Sequence, residues 1–300
     1  MNREDRFLFL NTLALRIIGY VTMILDHVGI FLLNYAYALP DPSAAEATAN
    51  IFRIVGRIAF PIFVFLLAEG MNHTRSKEKY ILRIGIMYLL LLAAQLVLIY
   101  GFNEYALEGV ASPFTDLLLC ALVLYCLSKP KFWKLFALLP GAILILAFVI
   151  TAYEGYASVT IHWWPYAYRP AYSILGMLSA IGFYYAPKIA VKTFHNINQE
   201  QGISDEIYLE TGFGRRSANM IGCIFFFITV LGLWGLSYLN GRTIDPLEMS
   251  QQSWCLIAIL PLFLYNGRKG PGGLALKIFN YAFFPVHIVI IFLIFQAIMG

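Results

Sequence analysis

Five side chains able to move a proton or hold a charge sit inside apolar runs of this chain. The stretch "MILDHVGIFLL" sets Asp26 beside His27, while Arg57, Asp116 and His287 lie in three other runs. An ionisable side chain at the centre of a membrane helix costs roughly 2.5–3.5 kcal/mol on insertion scales, so it persists where it is paired or where it works. The chemistry open to this set is proton transfer. A neutral histidine, with an ordinary pKa of about 6.5, suits a general base. Neighbouring residues on a helix point about 100° apart, so Asp26 and His27 cannot face one partner. Asp26 is expected to pair with Arg57 and hold two helices together, leaving His27 to face a cavity. The plain alternatives stay open: a structural ion pair, a His27 bond to a neighbouring helix, or a His287 satisfying a carbonyl that Pro285 frees.

A second group gathers at what reads as the opposite membrane face. Glu69 and His73 are four residues apart and share a helix face. "NHTRSKEKY" adds Thr74, Arg75, Lys77 and Lys79, and "YNGRKG" adds Asn266, Arg268 and Lys269. Arginine suits two-pronged phosphate contacts and lysine acts as a point charge. Membrane topology alone would also place basic residues here.

The elements that must position these groups are membrane helices. The chain has 300 residues, 60% hydrophobic and 13% charged, with mean hydropathy +0.72; soluble domains carry about 25% charged residues. About nine apolar runs, at 13–34, 54–72, 80–101, 112–128, 132–151, 168–186, 217–239, 252–265 and 278–298, predict an all-α polytopic bundle. The eighth is short and contains Pro261. All but four of the 21 basic residues fall on one side of the alternation; the exceptions are Arg53, Arg57, Arg169 and Arg242. The opposite loops carry Asp41, Glu46, Glu104, Glu108, Glu154, Asp245 and Glu248. This predicts a cytoplasmic N-terminus and an outer C-terminus. No cleavable signal peptide is read at the start. The segment "ALPDPSAAEATAN" reads as a flexible outer connection with short helical character at most, and 187–216 as an inner loop able to form an interfacial helix. Cys120, Cys126, Cys223 and Cys255 lie in apolar runs and read as packing residues, with no metal site expected. Residues 1–300 read as one membrane domain.

At about 1.5 Å of rise per residue, Asp26 lies about 20 Å from the cytoplasmic end of the first run. Arg57 and Asp116, near the outer ends of inward-running helices, fall at a similar depth, with His27 and His287 just below. One cluster in the outer half is expected.

Three blocks, "LDHVG", "RIVGRIAFPIFVFLLAEGMNHTRSKEKYILR" and "YNGRKG…YAFFPVHIVII", resemble the TraX family in order and spacing along nearly the whole chain. That family is of bacterial inner-membrane proteins named for the N-terminal acetylation of conjugative pilin, and it is similar to the wider transmembrane acyltransferases. In those, acetyl-CoA enters from the cytoplasm, the acceptor comes from the other face, and a histidine near the first span acts in transfer. The matching positions are Asp26, His27, Arg53, Arg57, Pro61, Glu69, His73, Thr74, Arg75, Asn266, Pro285 and His287. The start of the fourth run, "SPFTDLLLCALVLYCL", and the length of 187–216 depart from the family pattern.

The resemblance implies an acetyl-CoA-dependent N- or O-acetyltransferase in the plasma membrane, acting on a peptide N-terminus or a cell-surface glycan. His27, with Asp26 and His287, would form the catalytic group, supported by Arg57, Arg53, Asp116 and Pro285. The backbone near Pro285, or His287 itself, would stabilise the oxyanion. Glu69, His73, Thr74, Arg75, Lys77, Asn266, Arg268 and Lys269 would bind acetyl-CoA. The partners expected are the bilayer, the acceptor and a second copy through exposed span faces, with no nucleic acid. A proton-coupled transporter or flippase, and a structural protein of pilus or polymer assembly, remain the competing classes; the absence of a visible internal repeat speaks against the transporter.

Overall fold

The computed structural model describes residues 7–103, 109, 111–200 and 202–299; Arg3, Arg6, Glu104 and Glu108, used in the topology argument, lie outside them. The described residues form helices and no named strand. In chain order these are α1 (Thr12–Asn34), α2 (Pro42–Gly56), α3 (Ala59–His73), α4 (Lys77–Phe102), α5 (Ser112–Leu127) and α6 (Leu138–Ala157). They continue with α7 (Ser173–Glu200), α8 (Asp205–Tyr208), α9 (Gly212–Leu239), α10 (Met249–Gln252), α11 (Ile259–Phe263) and α12 (Leu274–Met299). Seven helical stretches are long and apolar enough to cross a membrane: α1, Pro42–His73, α4, Lys131–Ala157, Tyr166–Ile197, α9 and Leu274–Ile298. The other two sequence runs correspond to shorter apolar segments, Ser112–Leu127 and Met249–Phe263. The second of these is broken into α10, a 3-10 stretch (Ser253–Ala258) and α11. Asn219 of α9 donates to the carbonyls of Phe263 (3.1 Å) and Tyr265 (2.7 Å), satisfying groups that the broken helix leaves free.

Two loop expectations are corrected. The segment read as a flexible outer connection is α2, a helix of 15 residues running nearly unbroken into α3. Asp41 caps it, its Oδ1 accepting from the Ala44 N–H at 3.0 Å, with Pro42 at the first helical position. The backbone N–H of Ala44, then the Ser43 hydroxyl, hold the Asp41 carboxyl below its ordinary 3.8. Low hydropathy concealed this helix because its alanines and Gly56, like Gly29 of α1, serve close packing instead. A methyl group on Gly29 would lie 2.9 Å from the Ala49 carbonyl oxygen, and one on Gly56 would lie 2.3 Å from Cβ of Asp26. So α2 lies against the C-terminal half of α1 at backbone distance. In the 187–216 stretch, α7 runs on past Pro187 to Glu200, and among the described residues the only separate helix before α9 is the four-residue α8.

The main core joins α3, α5, α7 and α9 through Phe65, Leu67, Met71, Leu124, Phe183, Phe226 and their neighbours. Beside it, α12 packs on α1 through Phe31, Ile288, Ile291 and Phe295. Two polar clamps tie the segment between α6 and α7. Gln95 donates to the Ala167 carbonyl (3.1 Å) and accepts from the Ala111 N–H (2.8 Å). Arg169, 2% exposed, pairs with Glu154 and donates to the Trp164 and Ile161 carbonyls. These clamps fix the segment before α7 and so place Tyr172.

Candidate active site

The depth arithmetic is met where it concerned pairs. Arg57 Nη2 lies 3.2 Å from Asp26 Oδ1, so α1 is bridged to the bend between α2 and α3. Arg57 also donates to Gln252 Oε1 at 3.3 Å. Arg53 lies one turn earlier on α2, within electrostatic reach of Asp26.

On the next position of α1, His27 turns the other way and meets α12. Its Nδ1 lies 2.8 Å from Nε2 of His287, and the rings stack at 5.0 Å. Nδ1 of His287 lies 2.7 Å from the Phe283 carbonyl oxygen. A carbonyl only accepts, so Nδ1 of His287 carries the proton, and in the neutral ring Nε2 accepts. His27 therefore donates through Nδ1, which leaves its Nε2 with the lone pair. Among the described residues nothing bonds that nitrogen. It has the tautomer of a general base, fixed by a partner whose own tautomer is fixed by backbone.

The same logic removes an expectation for His287. With Nδ1 committed to Phe283 and Nε2 accepting, it has no proton left for an oxyanion. Pro285 does not help, because a proline removes a backbone donor and frees an acceptor. The carbonyl it frees by helical spacing is that of Tyr281, whereas His287 bonds Phe283.

Asp116 is fully buried, but it does not join the histidines. It accepts from the backbone N–H groups of Tyr172 (2.9 Å) and Ser173 (2.6 Å), capping the start of α7. Its contribution is to hold Tyr172, which sequence reasoning missed. The Tyr172 ring stacks on Phe60 at 3.5 Å and lines the same small cavity as Asp26, His27 and His287. Its hydroxyl makes no hydrogen bond among the described residues. No local pattern in "RPAYS" marks this residue; its position is set by contacts from α3 and α5.

That small cavity has a volume of about 50 Å³ and is otherwise apolar, walled by Met23, Ala59, Phe60, Phe63, Phe114, Leu117 and Phe284 among others. Next to it lies a much larger cavity of about 840 Å³ between α1, α3, α4, α5 and α12. Arg16, Arg83 and Lys269 line it, with Tyr20, Tyr80, Asn280 and Tyr281. All three cations lie on the side where the sequence analysis expects the cytoplasm. Lys269 arrives there because the 264–268 loop docks beside the start of α1: Asn266 N–H donates to Leu10 and Thr12 N–H donates to Arg268. Gly270, at φ +76°, lets the loop close, since a side chain there would meet Asn11 at 2.8 Å.

Of the residues expected to bind acetyl-CoA, only Lys269 lines this cavity. Glu69 is buried in a separate network, with Arg215 at 3.2 Å, His73 at 3.3 Å and the Tyr265 hydroxyl at 3.4 Å. That network joins α3 to α9 and borders a cavity of only about 10 Å³. Thr74 donates to the Ser76 carbonyl, and Asn266 accepts from the Arg268 N–H. Arg75 and Arg268 are exposed and Lys77 half-buried, away from the large cavity. Arg16 and Arg83 are two of the 17 basic residues that alternate with the apolar runs, and nothing else in the sequence marks them. The missing signal is the rotation of α1 and α4, which hydropathy does not report. Among the described residues no group of His, Cys, Asp or Glu is placed to hold a metal ion.

The arrangement is thus a cavity lined by three cations beside a small, mostly apolar pocket that holds His27, whose Nε2 has no partner among the described residues. The family model described as TraX protein matches residues 12–172, which carry His27, Arg57, Arg83, Asp116 and Tyr172. No curated protein and no solved structure matches the chain.

Proposed function

The chain belongs to the TraX family, and on that premise we propose that it is a membrane-embedded acetyltransferase, drawing acetyl-CoA from the cytoplasm and acetylating an amine or hydroxyl. The acceptor class is a peptide N-terminus or a cell-surface glycan. The observation that carries the reading is that the cationic cavity adjoins the His27 pocket, four residues lining both. An anionic carrier with a long arm and a small reactive end fits that shape.

In this reading Arg16, Arg83 and Lys269 hold the phosphates of CoA. The thioester end lies beside His27. As the acceptor attacks the thioester carbonyl, Nε2 of His27 takes the acceptor's proton. The Tyr172 hydroxyl is the donor available to the oxyanion. When the tetrahedral intermediate collapses, the C–S bond breaks and the imidazolium returns the proton to the thiolate of CoA. The products are the acetylated acceptor and CoA–SH. His287 and Phe283 keep His27 in the reactive tautomer, and the Asp26–Arg57 pair holds α1 against α2 and α3. Transfer through a transient acetyl group on His27 uses the same residues. The topology that goes with this function is nine crossings of a bacterial plasma membrane, with the N-terminus cytoplasmic and both short apolar segments counted as spans.

The test is a titration of acetyl-CoA into the purified full chain in detergent. Wild type should bind, and Arg83→Ala and Arg16→Ala should each weaken binding by about tenfold, the loss of one charged contact of roughly 1.5 kcal/mol. Rising salt should weaken the wild type more than either variant. No binding by wild type at cellular concentrations of acetyl-CoA would remove the reading's main support.

A further inference from the structure

The two cavities meet at four residues. Phe63 of α3, Phe114 and Leu117 of α5, and Phe284 of α12 line both of them. Phe284 is the hub: its ring stands edge-on to Phe114 at 4.7 Å and to Phe63 at 5.6 Å. These four side chains, the collar, stand between the cations and His27. Beyond it the space is small. At about 50 Å³ it is a small fraction of the neighbouring cavity of about 840 Å³, a size that suits a two-carbon acyl group better than a long chain. The far wall cannot retreat, because Gly56 already lies against the backbone and Cβ of Asp26.

We propose that Phe63, Phe114, Leu117 and Phe284 determine acyl-chain length, admitting a two-carbon acyl thioester to His27 and excluding longer chains. This rests on the acetyltransferase reading and adds to it the residues that set donor specificity. Each further methylene must displace a packed aromatic ring. Hydrophobic pockets discriminate by about 10–200-fold for one methylene.

The experiment compares CoA release from acetyl-, butyryl- and hexanoyl-CoA by the purified full chain. Wild type should turn over hexanoyl-CoA at least about 100-fold more slowly than acetyl-CoA. Phe114→Ala should raise the hexanoyl-to-acetyl ratio about tenfold or more. Leu117→Ala, a smaller change, should move the ratio the same way and serves if Phe114→Ala does not fold. Leu89→Ala, on the exposed face of α4, should leave the ratio at the wild-type value. Wild type using hexanoyl-CoA as readily as acetyl-CoA overturns the proposal, as does an unchanged ratio in both collar variants. CoA release with no chain length at all would overturn the acetyltransferase reading and the collar with it.

Discussion

Replacing His287 by alanine isolates the tautomer argument. The imidazole makes two bonds, accepting from His27 Nδ1 at 2.8 Å and donating to the Phe283 carbonyl at 2.7 Å. Its loss leaves the Nδ1 proton of His27 without an acceptor in a mostly apolar pocket. An unsatisfied buried donor costs about 1–3 kcal/mol. The ring can escape that cost by moving the proton to Nε2, which puts the lone pair toward the gap left by His287 and away from the substrate. The reactive tautomer is then depleted by a factor of about 5 to 150, at 1.4 kcal/mol per tenfold. The assay is release of CoA thiol from acetyl-CoA. The turnover rate should fall by that factor, while binding of acetyl-CoA is unchanged, because His287 does not line the cationic cavity. His287→Gln, whose side-chain carbonyl can accept from Nδ1, should recover part of the rate. A turnover rate within twofold of wild type in His287→Ala, or a defect in binding alone, would refute the reasoning.

Other perturbations test the scaffold. Gly56→Ala should lower thermal stability by about 3 kcal/mol, the upper range for overpacking, since its methyl would lie 2.3 Å from Cβ and 2.8 Å from Cα of Asp26; a melting temperature equal to wild type would contradict the close α1–α2 contact. Glu154→Ala should cost about 3–5 kcal/mol, because it strands a buried arginine, and should expose the 158–169 segment to protease; an unchanged cleavage pattern would count against the clamp. Asp41→Asn keeps the helix cap and removes its charge. The Asp41 carboxyl is held below its ordinary value in the folded chain, so its contribution is present above the unfolded value and lost as pH falls through the folded one. Wild type should therefore lose more stability than Asp41→Asn between neutral and strongly acidic pH, and equal losses would reject the assignment.

Depth along a helix was legible in the sequence, and rotation about its axis was not. A rise of about 1.5 Å per residue brought Asp26 within a turn of Arg57, and the two are in contact; it set His27 between that level and His287, and the bond between the two histidines was not foreseen. The i, i+4 spacing likewise placed Glu69 on His73. The same arithmetic put Asp116 at the right depth with the wrong company, because it faces the start of α7. Arg16 and Arg83 could not be told from Arg75 and Arg268 by type or by depth. Only the packing of α1 against α12 and α4 decides which basic residues border the cavity. The helix α2 escaped notice for another reason: "SAAEATANI" is helical and small rather than apolar, and what it buries is the backbone of α1.

The most direct test of the central claim is acetyl-CoA turnover by wild type beside His27→Ala, with binding measured on the same samples. The account predicts that both proteins bind acetyl-CoA with similar affinity, that wild type slowly releases CoA, and that His27→Ala releases almost none. Equal release from the two proteins would contradict the assignment of His27 as the base, whatever the binding.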